Sequence, residues 1–167
     1  MKFKSILEDF NTELWGHHFV VSKDIAEKFI KGNNRRVICN INGDVEYQCA
    51  LMPDKKKGYF INVNKEIRKK ANIKLGDKCE LVLKKDDSKY GLPVPEEFIE
   101  LLRQDPEGEK VFHALTMGKQ RSLVYIIAKP KRSETRLHKA VVILDFLKEN
   151  NGALDFKALN QAFKEAK

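Results

Sequence analysis

Two prolines set two residues apart divide this chain into parts of different character. In Gly91-Leu92-Pro93-Val94-Pro95 each proline turns the residue before it away from helix, so the stretch reads as an extended connector. Before it lie short runs of alternating polarity punctuated by Gly and Asn. After it, apolar residues recur at helical spacing. The expected fold class is therefore α+β, with one domain over residues 1–90 and a helical region over 91–167. At 167 residues the chain suits one full domain or two small ones.

In the first part the strand candidates are Lys2–Glu8, His17–Val21, Arg35–Ile41, Glu46–Met52, Gly58–Val63 and Lys78–Leu83. Asn42-Gly43 marks a hairpin between the third and fourth. A two-residue loop would set Cys39 opposite Glu46. A three-residue loop over 42–44 pairs Ile41 with Val45 and Cys39 with Tyr47, placing both apolar sets on one face. The second register is the expected one. Cys39 and Cys49 then lie diagonally, with Cα atoms roughly 7–8 Å apart, too far for an unstrained disulfide. Two short helices, Asp24–Lys31 and Lys65–Ala71, follow the N-cap candidates Ser22 and Asn64. They expose a repeat: Val21-Ser22-Lys23-Asp24-Ile25 aligns with Val63-Asn64-Lys65-Glu66-Ile67 at an offset of 42. Each copy reads strand, cap, helix, turn, strand, a unit too small to bury its apolar face alone.

The second part predicts helices over about 95–104, 107–115 and 122–129, with Gly118 breaking the chain before the third. Ser133 is expected to cap a long helix to about Glu149, with Leu137, Val141, Leu144, Phe146 and Leu147 inward. Asp155 caps a last one carrying Phe156, Leu159 and Phe163.

Composition narrows the functional classes. No apolar run approaches the roughly 18 residues of a membrane span, so no membrane insertion is expected. Glu8, Asp9 and Glu13 interrupt the place of a secretory h-region, which points to the cytoplasm. Three cysteines, none in a CxxC, argue against a disulfide scaffold or zinc site. His17 and His18 would point to opposite faces of a strand and not share a metal. Among the nucleotide-binding, hydrolase and metalloprotease signatures, GxGxxG, the P-loop, GxSxG and HExxH are all absent. No cofactor and no catalytic residue is expected.

The net charge of +8 favours anionic partners. Lys119–Lys139 holds seven basic residues against the single acid Glu134. Arg132, Arg136 and Lys139 share a helical face, and Lys129 and Lys131 flank the expected cap, where backbone donors gather. These five are the candidate anion site. Arg68, Lys69, Lys70 and Lys74 form a second basic patch.

The run Ile61–Val82, with its strand, helix, Gly76-Asp77 turn and strand, resembles half of an AbrB-type swapped-hairpin barrel. Residues 1–90 as a whole are similar to an uncharacterised bacterial double-split β-barrel domain, which implies an internal pseudo-two-fold relating two strand–helix–strand halves. Residues 92–149 resemble the YdeI/OmpD-associated family, often labelled bacteriocin-protection proteins, through Val94-Pro95-Glu96, Ser122–Lys129 and Glu134-Thr135-Arg136. That label implies a link to bacteriocin or stress tolerance; with the absent catalytic motifs and the basic charge, the expected role is non-enzymatic binding of an anionic ligand or acidic protein. An AbrB-like DNA-binding regulator is the alternative, and an enzyme of unknown type a further one. Against symmetric DNA reading, Arg68 and Lys69 align with Ala26 and Glu27 in the first copy.

Overall fold

The hairpin at Asn42-Gly43 shows how alternation and turn chemistry together set the sheet. In the computed structural model, which describes residues 1–12 and 16–166, Ile41 pairs with Val45 and Cys39 with Tyr47. Asn42 and Gly43 both take positive φ, 54° and 82°, where Asn and Gly are tolerated best. Two side-chain amides lock the loop. Asn40 Oδ1 accepts from Gly43 N at 2.8 Å, and Asn42 Oδ1 accepts from Glu80 N at 2.9 Å.

The chain forms two units, Met1–Gly91 and Leu92–Lys167. The first contains β1 (Lys2–Asp9), β2 (His17–Val21), α1 (Lys23–Ala26), β3 (Arg36–Ile41), β4 (Val45–Ala50), β5 (Met52–Asp54), β6 (Gly58–Asn62), α2 (Lys65–Lys70) and β7 (Lys78–Lys85). Its seven strands make one curled antiparallel sheet in the order β4-β3-β7-β1-β2-β6-β5. Two stretches of chain are shared between partners. Residues 2–6 of β1 pair with β7 and residues 7–9 with β2. Likewise β4 pairs with β3, whereas β5 pairs with β6. The predicted strand Glu46–Met52 therefore breaks at Leu51, which is buried and donates its N–H to Arg35 O. The inward residues of every long strand, among them Leu7, Phe19, Val37, Ile41, Ile61 and Leu81, meet in one core.

The two short helices differ from each other. Asn64 Oδ1 accepts from Ile67 N at 2.8 Å and α2 runs for six residues. Ser22 makes no side-chain cap bond, and α1 is one turn instead of the predicted Asp24–Lys31. Gly32, at φ 57°, and the bridge between Lys31 and Asn34 turn the chain back too early for more.

The second unit contains α3 (Glu96–Gln104), α4 (Pro106–His113), α5 (Met117–Ala128), α6 (Ser133–Glu149) and α7 (Phe156–Glu165). Asp105 and Asp155 cap α4 and α7 through Oδ1, each accepting an N–H three residues on at 2.8 Å. Gly118 does not break the chain. Thr116 caps α5, so Gly118 lies in the first turn, and buried Gln120 ties the α4–α5 turn by donating to the carbonyls of His113 and Leu115. The helix thus begins five residues before the predicted Ser122.

α6 is the hub, packing against α3, α4, α5 and α7. Its rotation buries Leu144, Phe146 and Leu147 as expected but corrects the stripe nearer its start. Ala140, Ile143, Leu144 and Leu147 are buried, while Leu137 and Val141 stay 44% and 37% exposed. Four packing neighbours bury a wide arc, so a sparse apolar spacing does not fix which side faces in. No helix of the described residues is long and apolar enough to cross a membrane.

Candidate functional site

The basic segment around residue 132 is organised by a carboxylate from another helix. Glu97, in the first turn of α3, receives both forks of Arg136: Nε donates to Oε2 at 3.1 Å and Nη2 to Oε1 at 2.6 Å. The remaining nitrogen, Nη1, donates to the carbonyls of Pro130 and Lys131 at 3.2 and 2.8 Å. One guanidinium thus holds α3, the start of α6 and the α5–α6 turn. The bidentate bond is the main reason the Glu97 carboxyl falls to about 2, with the Ser133 hydroxyl adding to it. Ser133 is therefore a helical residue bonding Glu97 and not the expected cap. Arg132 occupies the N-cap and makes no side-chain cap bond.

This geometry separates the five candidate residues. Lys129, Lys131 and Arg132 stand at the α5–α6 corner, and none of them pairs with a carboxylate among the described residues. Arg136 lies beneath the corner as its strut; its fork is already spent on an internal anion. Lys139 lies farther along α6, its Nζ 5.4 Å from the centroid of the Phe163 ring on α7. The structure brings together three of the five, with a fourth positioning them.

Glu97 was not among the sequence candidates. An acid in the first turn of a helix suits the helix dipole whatever it pairs with, and the pairing of Glu97 across 39 residues depends on how α3 is rotated against α6.

The second patch is more dispersed. Lys70 pairs with Glu66 at 3.4 Å, and Arg68 is half-buried with a buried Nε that has no hydrogen-bond partner. Lys69 and Lys74 are exposed.

Both histidines of β2 are engaged at Nδ1. His17 Nδ1 lies 2.9 Å from Asp9 Oδ2, and His18 is buried with its Nδ1 3.1 Å from Gly16 O. Among the described residues no group of three or more His, Cys, Asp or Glu could hold a metal. Burial pushes the Cys39 thiol up to about 12 and raises Cys49 and Cys79 as well, so none is a ready thiolate.

The units match two different family models. Residues 3–83 match a domain of unknown function, DUF1905. Residues 92–150 match the family described as Bacteriocin-protection, YdeI or OmpD-Associated. The stretch similar to that second family holds Glu97, Arg136 and the basic corner. No curated protein and no solved structure matches the chain.

Proposed function

We propose that this is a cytoplasmic binding protein whose helical unit presents the Lys129–Lys131–Arg132 corner to an acidic protein partner in protection against bacteriocins. The observation that carries the reading is the Arg136 fork. By bonding the carbonyls of Pro130 and Lys131 while anchored to Glu97, it fixes the backbone that displays three cations with no carboxylate partner among the described residues. A preorganised corner loses less entropy on binding than a free loop. The description of the matched family supplies the biological direction.

For the N-terminal unit the reading is a double-split barrel with an internal pseudo-two-fold. The shared pairing of β1 and of residues 45–54, and the short helices that follow β2 and β6, support it. DNA binding through α2 has less support, because Lys70 is paired and Arg68 half-buried.

The test is complementation. Cells lacking the protein receive the wild type or a Lys129→Glu, Lys131→Glu, Arg132→Glu variant at matched abundance and are challenged with bacteriocin. Protection by the wild type and its loss in the variant are expected; equal survival refutes the role of the corner. A mobility shift showing a preferred duplex, with affinity falling steeply with salt as phosphate contacts require, would favour the DNA reading instead.

A further inference from the structure

We propose a second binding site, on the N-terminal unit, for a small planar anion of the aromatic carboxylate class. A cleft of about 490 Å³ opens beside β5 and the β5–β6 turn. That volume lies within the range of small-molecule sites, roughly 300–1,000 Å³. Phe10, Met52, Pro53 and Phe60 give it an apolar lining, and Lys55 and Lys56 stand at its rim.

The aromatic wall is held from behind. Phe10 stacks on His18 with ring centroids 3.6 Å apart and planes 10° from parallel. Phe60 meets Phe10 edge-on at 4.9 Å and 74°. His18 is 2% exposed, so one face of Phe10 is fixed against the interior while Phe10 still lines the cleft. Flat rings favour offset stacking or edge contacts with such a wall. A planar apolar ring therefore matches it without reorganisation.

Charge selects the sign of the ligand. Among the described lining residues the one acid, Asp54, is turned into its own loop, where Oδ1 accepts from Lys56 N at 2.6 Å and Lys57 N at 3.0 Å. Lys57 is drawn off by an ion pair with Glu8. Lys55 and Lys56 form no ion pair with a carboxylate among the described residues. A cation could use the aromatic faces, but these two ammonium groups repel it. An anionic group attached to the ring meets them at the rim while the ring lies over Phe10 and Met52.

The site is in the other unit from the basic corner, so the two proposals stand or fall separately. The test titrates the full chain with 2-naphthoate by calorimetry and follows amide shifts by NMR. Saturable one-to-one binding is expected, with the largest shifts in residues 52–60. The Lys55→Glu, Lys56→Glu variant, whose changes are on exposed side chains, should keep the wild-type melting temperature and bind at least fivefold more weakly. Neutral 2-naphthalenemethanol should also bind the wild type at least fivefold more weakly than the acid. Absence of saturable binding, shifts centred elsewhere, or a loss below fivefold in either comparison overturns the proposal.

Discussion

Ion pairs in the sheet unit mostly decorate its surface, whereas in the helical unit two of them join helices. Lys2–Glu80 links the neighbouring strands β1 and β7, and Lys84–Glu46 reaches across β3 from β7 to β4, through side chains that are mostly half or more exposed, while Lys70–Glu66 lies along one exposed helix. Such pairs contribute little, about 0–1 kcal/mol. The sheet takes its register instead from ladders and inward side chains. In the helical unit, Arg136–Glu97 and Lys148–Asp105 are largely shielded and both bridge to α6. Glu97 lies in the first turn of α3 and Asp105 follows its last residue, while Arg136 and Lys148 lie near the two ends of α6. α3 and α6 are thus clamped side by side at both ends. A backbone ladder specifies strand neighbours residue by residue, but helices satisfy their own backbone. Their mutual rotation must come from side chains.

The largest test of this contrast lies in the core of α6. Ile143→Ala removes a fully buried side chain at the hub and should cost about 2–5 kcal/mol. Val141→Ala, two residues away on the open side, should cost well under ~1 kcal/mol. Denaturant unfolding of both variants measures the difference. Equal losses would mean that the helix is rotated as its apolar spacing first suggested, with Leu137 and Val141 inward.

Next is the junction of α3 and α4. Asp105 caps α4 through Gly108 N and pairs with Lys148 Nζ at 2.8 Å. Asp105→Ala removes both, and loss of the cap alone costs about 0.5–2 kcal/mol. The matching change in the sheet, Glu80→Ala, takes away the exposed Lys2 pair and should be nearly silent. Thermal melts compare them. A silent Asp105 variant would remove the distinction between clamp and decoration.

These particulars also show what the sequence could carry. The β3–β4 register was legible because a one-residue slip moves every apolar side chain to the wrong face, so Val37, Cys39 and Ile41 admit one good solution. The Asn64 and Asp155 caps were legible because capping is local in sequence. The break at Leu51 was not, since an apolar residue looks the same whether a strand continues or changes partners. The Arg136 fork was legible only as positive charge. Its partner depended on two helix rotations that no local pattern sets. The repeat at offset 42 read two helices as equals, yet α1 is one turn, because Gly32 and the Lys31–Asn34 bridge act outside the matched residues.

A smaller and pH-limited effect follows from the upper clamp. The Glu97 carboxyl is depressed from 4.5 to about 2 in the folded chain. A depressed carboxylate adds stability that is fully present above its unfolded value and is lost as pH falls toward its folded one. The wild type should therefore exceed Glu97→Gln in melting temperature at pH 6, and the gap should close between about pH 4.5 and 2. A gap that stays constant over that window would show that a neutral amide serves Arg136 as well as the carboxylate does, and that charge adds nothing to the clamp.

The smallest expected effect concerns the corner that the clamp supports. Lys129, Lys131 and Arg132 touch no carboxylate among the described residues, and the backbone beneath them is held by Arg136, not by their own side chains. Reversing all three to Glu should therefore change folding stability by at most ~1 kcal/mol, since exposed charges interact weakly through water. What remains is repulsion from Glu134 and from the Glu97 carboxylate, and salt should erase it, because the Debye length is about 3 Å at 1 M. Melts of the triple variant at low and high salt, beside those of Arg136→Ala, separate display from support. Arg136→Ala should destabilise the helical unit at both salt levels, because it takes the guanidinium from Glu97, leaving it the Ser133 hydroxyl, and removes the donor of two turn carbonyls. If the triple variant instead fell as far as Arg136→Ala and salt did not restore it, the three cations would belong to the packing of the corner, and their availability to a partner would be refuted.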